Sequence, residues 1–168
     1  GRRRSILSTL PLYTISDGLL DRILARNGVD AGQTARIQKH AAAQRQRIAV
    51  ILASGSIEDE IPTFLPEEIS GRPPVLELSE LFCETDIAYN AEEYAAHLRE
   101  TQEFAARNPN YALKRSAAHA FRNLQIFIHE GQWVMVSKGK APAIHFVIRH
   151  PKLRSAIENF IPPVTEES

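Results

Sequence analysis

Residues able to do chemistry gather in the last third of the chain. Arg122, Gln125, His129, His145, Arg149 and His150, with Lys138 and Lys140 at one end, form a cluster rich in N–H donors. Near a sheet surface and a helix N-terminus, such groups suit a small anion, since each offers a donor or a positive charge. The plainer alternative keeps the histidines as strand residues bonded to backbone and the arginines as surface stems. A third reading takes His145 or His150 as general base of a small hydrolase or transferase. Short catalytic signatures give it no support. Ser54-Gly55-Ser56 lacks the second glycine of a nucleophile elbow and reads as a helix end. Gly139 stands alone between two lysines, which makes no phosphate-cradling loop, and no two histidines have zinc spacing with a third ligand. His150-x-Lys152 begins like a phospholipase-type motif, but Ile157 stands where its aspartate belongs. No catalytic residue, metal ligand or cofactor is expected. Glu58-Asp59-Glu60 reads as a solvated acidic loop, because no ligand pattern surrounds it.

Bulk composition narrows the function classes. The chain has 168 residues, with 20 basic and 20 acidic side chains, so its formal net charge is zero. A domain that grips nucleic acid by its phosphates carries a basic excess, and this balance counts against that role. The single cysteine, Cys83, excludes an internal disulfide and fits a reducing compartment, hence an expected cytoplasmic location. No apolar run reaches the length of a membrane-spanning helix. The chain starts at Gly1 and its one methionine is Met135, so a piece of a longer protein is expected.

Helices flank the cluster. Arg2–Arg4 open a segment read as a frayed terminus or linker end. Ser16 or Asp17 starts a helix to Asn27 with Leu19, Leu20, Ile23 and Leu24 on one face, and Gly28 follows its end. Asp30 caps a longer helix from Ala31 to Ser54, giving a helical hairpin. Its alanine-, glutamine- and arginine-rich middle, Thr34–Arg47, is the candidate pairing surface of a homodimer, with Ile37, Arg45 and Ile48 as contacts. A competing reading lets Arg36, Lys39, Arg45 and Arg47 face phosphate in direct nucleic-acid binding. Proline density in Ser56–Pro74 allows only a short edge strand at Ile57–Ile61. Asn90 and Glu93 form a capping box for a helix to Arg107, with His97 half-exposed at the border of its apolar stripe. Ala112–Ala120 reads as helix or loop. Pro151 opens a last helix whose buried stripe is Leu153, Ala156, Ile157 and Phe160.

Between these helices, three β-rich runs suggest an antiparallel meander. If Glu130-Gly131 is a two-residue turn, Ile128 pairs with Trp133 and Ile126 with Met135. Leu124, Ile126, Ile128, Trp133 and Met135 then make the core face, while Gln125, Phe127, His129, Val134 and Val136 lie opposite. A five-residue connection, Lys138–Pro142, would put His145 and Val147 on the Trp133 face and Ile144, Phe146 and Ile148 on the other; one residue fewer reverses this, and the sequence leaves both open. The resulting fold class is α+β: an antiparallel sheet on a C-terminal three-strand meander, covered by helices and preceded by a helical hairpin. Residues 1–55 are read as a helical linker or association segment and 56–168 as an effector-type domain.

The runs Arg122–Ile126, His129–Lys138 and Pro142–Leu153, with Glu93-Tyr94 through Asn108-Pro109-Asn110-Tyr111, carry a resemblance. They resemble the C-terminal portion of certain bacterial helix-turn-helix transcriptional regulators of the lambda-repressor-like (XRE) class, well over the last half of the chain and loosely before it. The resemblance implies a non-enzymatic effector or assembly domain that senses a ligand, dimerises or both. DNA would be bound only by a head domain lying before Gly1. It implies no particular ligand residues.

Overall fold

In a computed structural model the fold is described over residues 1–62, 74–76, 78, 86–115, 124–138 and 144–161. Capping residues set the helices. Ser16 accepts a hydrogen bond from the Leu19 N–H at the start of α1 (Asp17–Arg26), and Gly28 follows with a φ of +74°. Asp30 caps α2 (Ala31–Ser54) through the Gln33 N–H. Asn90 and Glu93 form the expected reciprocal box on α3 (Ala91–Arg107). Pro151 opens α4 (Pro151–Phe160), with His150 at the cap position but making no side-chain cap bond.

Six strands form one mixed sheet, ordered β3-β2-β1-β4-β5-β6. They are β1 (Arg2–Ile6), β2 (Ser56–Ile61), β3 (Tyr111–Arg115), β4 (Gln125–His129), β5 (Trp133–Lys138) and β6 (Ile144–Ile148). β1, β2 and β3 run parallel; β4, β5 and β6 continue from β1 antiparallel. The architecture is therefore α+β, but the sheet is larger than a three-strand meander. Three readings of the sequence are corrected. Arg2–Arg4 are not a frayed end; they lie in a central strand. Ile57–Ile61 belong to an interior strand, not an edge. A boundary at residue 55 would divide one sheet, because β1 pairs with β2 and β4.

The two faces differ. One face carries Ile57, Ile61, Tyr111, Leu113 and Phe127, and α1, α2 and α3 pack over it with the 3₁₀ turn Leu12–Thr14. The other carries Ile6, Ile126, Ile128, Val134 and Val136 beneath α4. Burial of these apolar faces is the main stabilising contribution, at about 25 cal/mol per Å² of apolar surface removed from water.

The β4–β5 turn is one residue longer than expected. Gly131 does take a positive φ, +73°, and the Gln132 N–H bonds the His129 carbonyl at 2.9 Å. Gln132, however, stays in the loop, so His129 pairs with Trp133 and Ile128 with Val134. A shift of one residue turns a strand over. Trp133 and Met135 therefore share a face with Phe127 and His129, whereas Val134 and Val136 take the core positions. Trp133 is half-buried, edge-on to His129 with ring centroids 5.8 Å apart. β6 puts His145 and Val147 on the Trp133 face, as a five-residue connection would, but two residues out of the expected register: Lys138 is in the strand and pairs with Ile144, so His145 meets Ser137 rather than Met135 and Val147 meets Met135 rather than Trp133.

α4 is also rotated from its expected orientation. Arg154, Ile157, Glu158 and Ile161 turn inward, an i, i+3, i+4, i+7 set, while Leu153 and Phe160 are 59% and 74% exposed.

A cleft over a buried aspartate

A cleft of about 400 Å³ opens between α2 and α3 above the 3₁₀ turn. Ile48, Ala49 and Leu52 line it from α2, and Phe104 lines it from α3. Arg45, Glu100, Glu103 and Arg107 give its rim charges of both signs. Two rim groups are held in place. Arg45 donates to the Asp17 carboxylate at 2.7 Å and to the Ile15 carbonyl at 2.8 Å. Glu100 accepts from the Ser16 N–H at 2.8 Å and from the Ser16 hydroxyl. Fixed side chains bind a ligand without losing rotamer freedom at that moment.

Tyr13 lines the cleft and reaches the sheet below it. Its hydroxyl donates to Asp59, and Tyr111 donates to the same carboxylate oxygen at 2.9 Å. Asp59 is 1% exposed. Burial pushes its pKa up to about 6, and the donors Tyr13, Tyr111 and Ser5 pull it back only in part. Burial and the neighbouring carboxylate raise both phenols well above their ordinary value. Edge-to-face contacts among Tyr13, Phe104 and Tyr111 fix the rings, with centroids 4.9–6.2 Å apart.

On the other face of β2, Glu58 and Glu60 meet basic side chains from both neighbouring strands. Arg4 Nε lies 2.6 Å from Glu60 and Lys114 Nζ 2.9 Å from Glu58, with Arg2 3.5 Å from Glu58. Burial raises Glu60 despite Arg4. For Glu58, burial also acts upward, but Lys114, Arg2 and Arg4 outweigh it and leave the carboxyl lowered. Glu58-Asp59-Glu60 is thus a paired strand segment, not a solvated loop. Among the described residues no group of three or more His, Cys, Asp or Glu is placed to hold a metal ion.

His97 is fully buried, a correction to its expected half-exposed place. Its Nε2 donates to the Pro11 carbonyl at 3.1 Å, so Nδ1 accepts from the Tyr89 hydroxyl at 2.7 Å. Burial pushes its pKa down to about 3, so the ring is neutral and ties α3 to the 3₁₀ turn.

The residues expected to bind a ligand do not converge. Gln125 and His145 flank Ser137, one on each side, and the His145 Nδ1 lies 2.7 Å from the Ser137 hydroxyl. His129 sits four residues along β4, about 13 Å away at strand rise. Its pKa is lowered by burial, by Arg3 and by the terminal amine. Arg149 and His150 are exposed beyond the end of β6. Arg122, Lys140 and Cys83 lie outside the described residues. A general base paired with a serine hydroxyl would suit the hydrolase reading, but His145 is exposed on the edge strand. The expected pairing contacts on α2 serve the chain itself. Ile37 is completely buried in its own core, Arg45 is bound to Asp17, and Ile48 lines the cleft.

Sequence reasoning missed the cleft because its walls come from three segments that no short motif links. The alternation of Ile57, Asp59 and Ile61 was the available clue to Asp59, since it places a carboxylate on an apolar strand face. No protein family matches the chain, and comparison with curated proteins and with solved structures finds no match.

Proposed function

We propose that this chain is a non-enzymatic regulatory domain of a bacterial transcription regulator, and that the α2–α3 cleft receives its small-molecule effector. The observation that carries the reading is the cleft: about 400 Å³, apolar at its base, with charged groups fixed at its rim. Effector pockets combine those features at roughly 300–1,000 Å³. The resemblance of the C-terminal half to lambda-repressor-like regulators supports the regulatory role, with DNA contacted through a head domain of the parent protein. Binding rather than proton transfer is favoured by where the imidazoles lie. Among the described residues no histidine lines the cleft, His97 is neutral and bonded at both nitrogens, and His145 and His150 are exposed elsewhere. An effector wedged between α2 and α3 would act on β2 and β3, against which these helices pack.

Thermal unfolding against a panel of bacterial metabolites tests this. A ligand at a hundredfold its Kd adds about 2.7 kcal/mol to stability, a rise of several degrees in Tm. Ala49→Trp, which fills the cleft from its exposed wall, should abolish that rise. A panel that leaves the wild type unmoved, or a shift that survives Ala49→Trp, would remove the effector role.

A further inference from the structure

Among the described residues β6 is the outermost strand of the sheet, and four of its five side chains are apolar. Ile144, Phe146 and Val147 expose 40%, 62% and 54% of their surfaces, and the strand contains no Asp, Glu, Lys or Arg. Natural sheets protect such an edge with charge, proline or a bulge. The opposite edge, β3, has Lys114 and Arg115. β6 has none of these devices. Ile144 and Phe146 lie on the same sheet face as α4, whose Leu153 is exposed while Arg154 and Glu158 are half-buried.

We infer that β6 pairs with β6 of a second copy, antiparallel and centred on Phe146, joining two six-stranded sheets into one. This register aligns all five residues. It sets Phe146 against Phe146 of the partner subunit, and Ile144 against Ile148 of the partner subunit. His145 falls opposite Val147 of the partner subunit, so no like charges oppose one another. The twofold axis stands perpendicular to the sheet, so both α4 helices lie on one face. A second copy is the occupant that fits, because four of the five strand residues are apolar and the strand is self-complementary about its centre, apolar residues meeting apolar ones and His145 meeting valine. The contact buries on the order of 500 Å² per copy, below the roughly 800 Å² of a standard interface. The dimer therefore dissociates on dilution.

Light scattering across a dilution series of the full chain should show a dimer at high micromolar concentration and a monomer at low concentration. Phe146→Lys and Val147→Lys should each give monomers throughout, with circular dichroism and Tm close to wild type; two variants guard against one misfolding. In a Cys83→Ser background, Phe146→Cys should form a disulfide dimer on mild oxidation, since facing strand residues have Cα atoms about 4.5–5.5 Å apart. Val50→Cys, exposed on α2, should not. A wild-type monomer at every concentration would give the edge to a different protein and overturn the inference. So would a dimer that survives both surface variants, or cross-linking of Val50→Cys but not Phe146→Cys. The pairing is independent of the cleft: a metabolite that stabilises a strict monomer would sink this inference and leave the effector reading standing.

Discussion

β1–β3 and β4–β6 cover the same kind of surface by different chemistry. The parallel half puts Arg4, Glu58, Glu60 and Lys114 on one face and satisfies them with each other, while three helices close its other face. The antiparallel half carries isoleucine and valine under a single helix and leaves its last strand in water. The first half is finished within the chain. The second shows its apolar residues to whatever comes next. A paired charge contributes little to net stability but is costly to separate, whereas an exposed apolar side chain costs little to replace in the monomer.

Substitutions should reveal that asymmetry, beginning with the ion network. Arg4→Ala leaves Glu60 buried without its closest cation, and urea unfolding should record a loss of about 3–5 kcal/mol. A loss under about 1 kcal/mol would mean that the parallel half is solvated like an ordinary surface.

Acid titration comes next in size. Asp59, raised to about 6 by burial, binds a proton more tightly folded than unfolded, so its contribution falls as pH rises from about 4 to about 6. His97, lowered to about 3 by burial, binds its proton more weakly folded, so stability falls as pH drops below about 6.5. Between pH 4 and 6 these slopes oppose each other. Asp59→Asn removes one, and stability should then fall by about 1.4 kcal/mol for each unit of acidification from pH 6 to 4. The same slope in wild type and variant would contradict the assignment of both groups.

Tyr89→Phe is smaller again. It deprives the His97 Nδ1 of its donor and should cost about 1–3 kcal/mol. A neutral result would mean that water replaces the hydroxyl. At the bottom of the scale, Val147→Thr on the exposed edge should change monomer stability by no more than about 0.5 kcal/mol. A large loss there would end the contrast, because it would make β6 part of the finished core.

Much of this fold could be read locally. The caps at Ser16, Asp30 and Asn90 placed three helix starts, because a cap is a contact within four residues. The existence of the hairpin and of the third strand followed from apolar alternation, though neither the hairpin's register nor the face of His145 did. What escaped depends on partners far along the chain. Arg2–Arg4 resemble a solvated tail until Glu58 and Glu60 are brought beside them. His97 looks like a surface histidine until Pro11 and Tyr89 enclose it. The apolar stripe on α4 was legible, but its direction was not; periodicity shows that a helix has two sides and is silent on which one meets the sheet. The cleft was invisible for a related reason, since its residues share no spacing.

Gln132 gives the hairpin its odd-numbered connection, and that has a consequence for how this molecule tolerates change. Drawing Gln132 into the strand, as a two-residue turn would, pairs it with His129 and Trp133 with Ile128, which sets indole in place of valine beneath α4 and inverts every later position in β5. Where the turn closes thus decides which side of β5 meets α4, while the chemistry of its exposed tip residues does not.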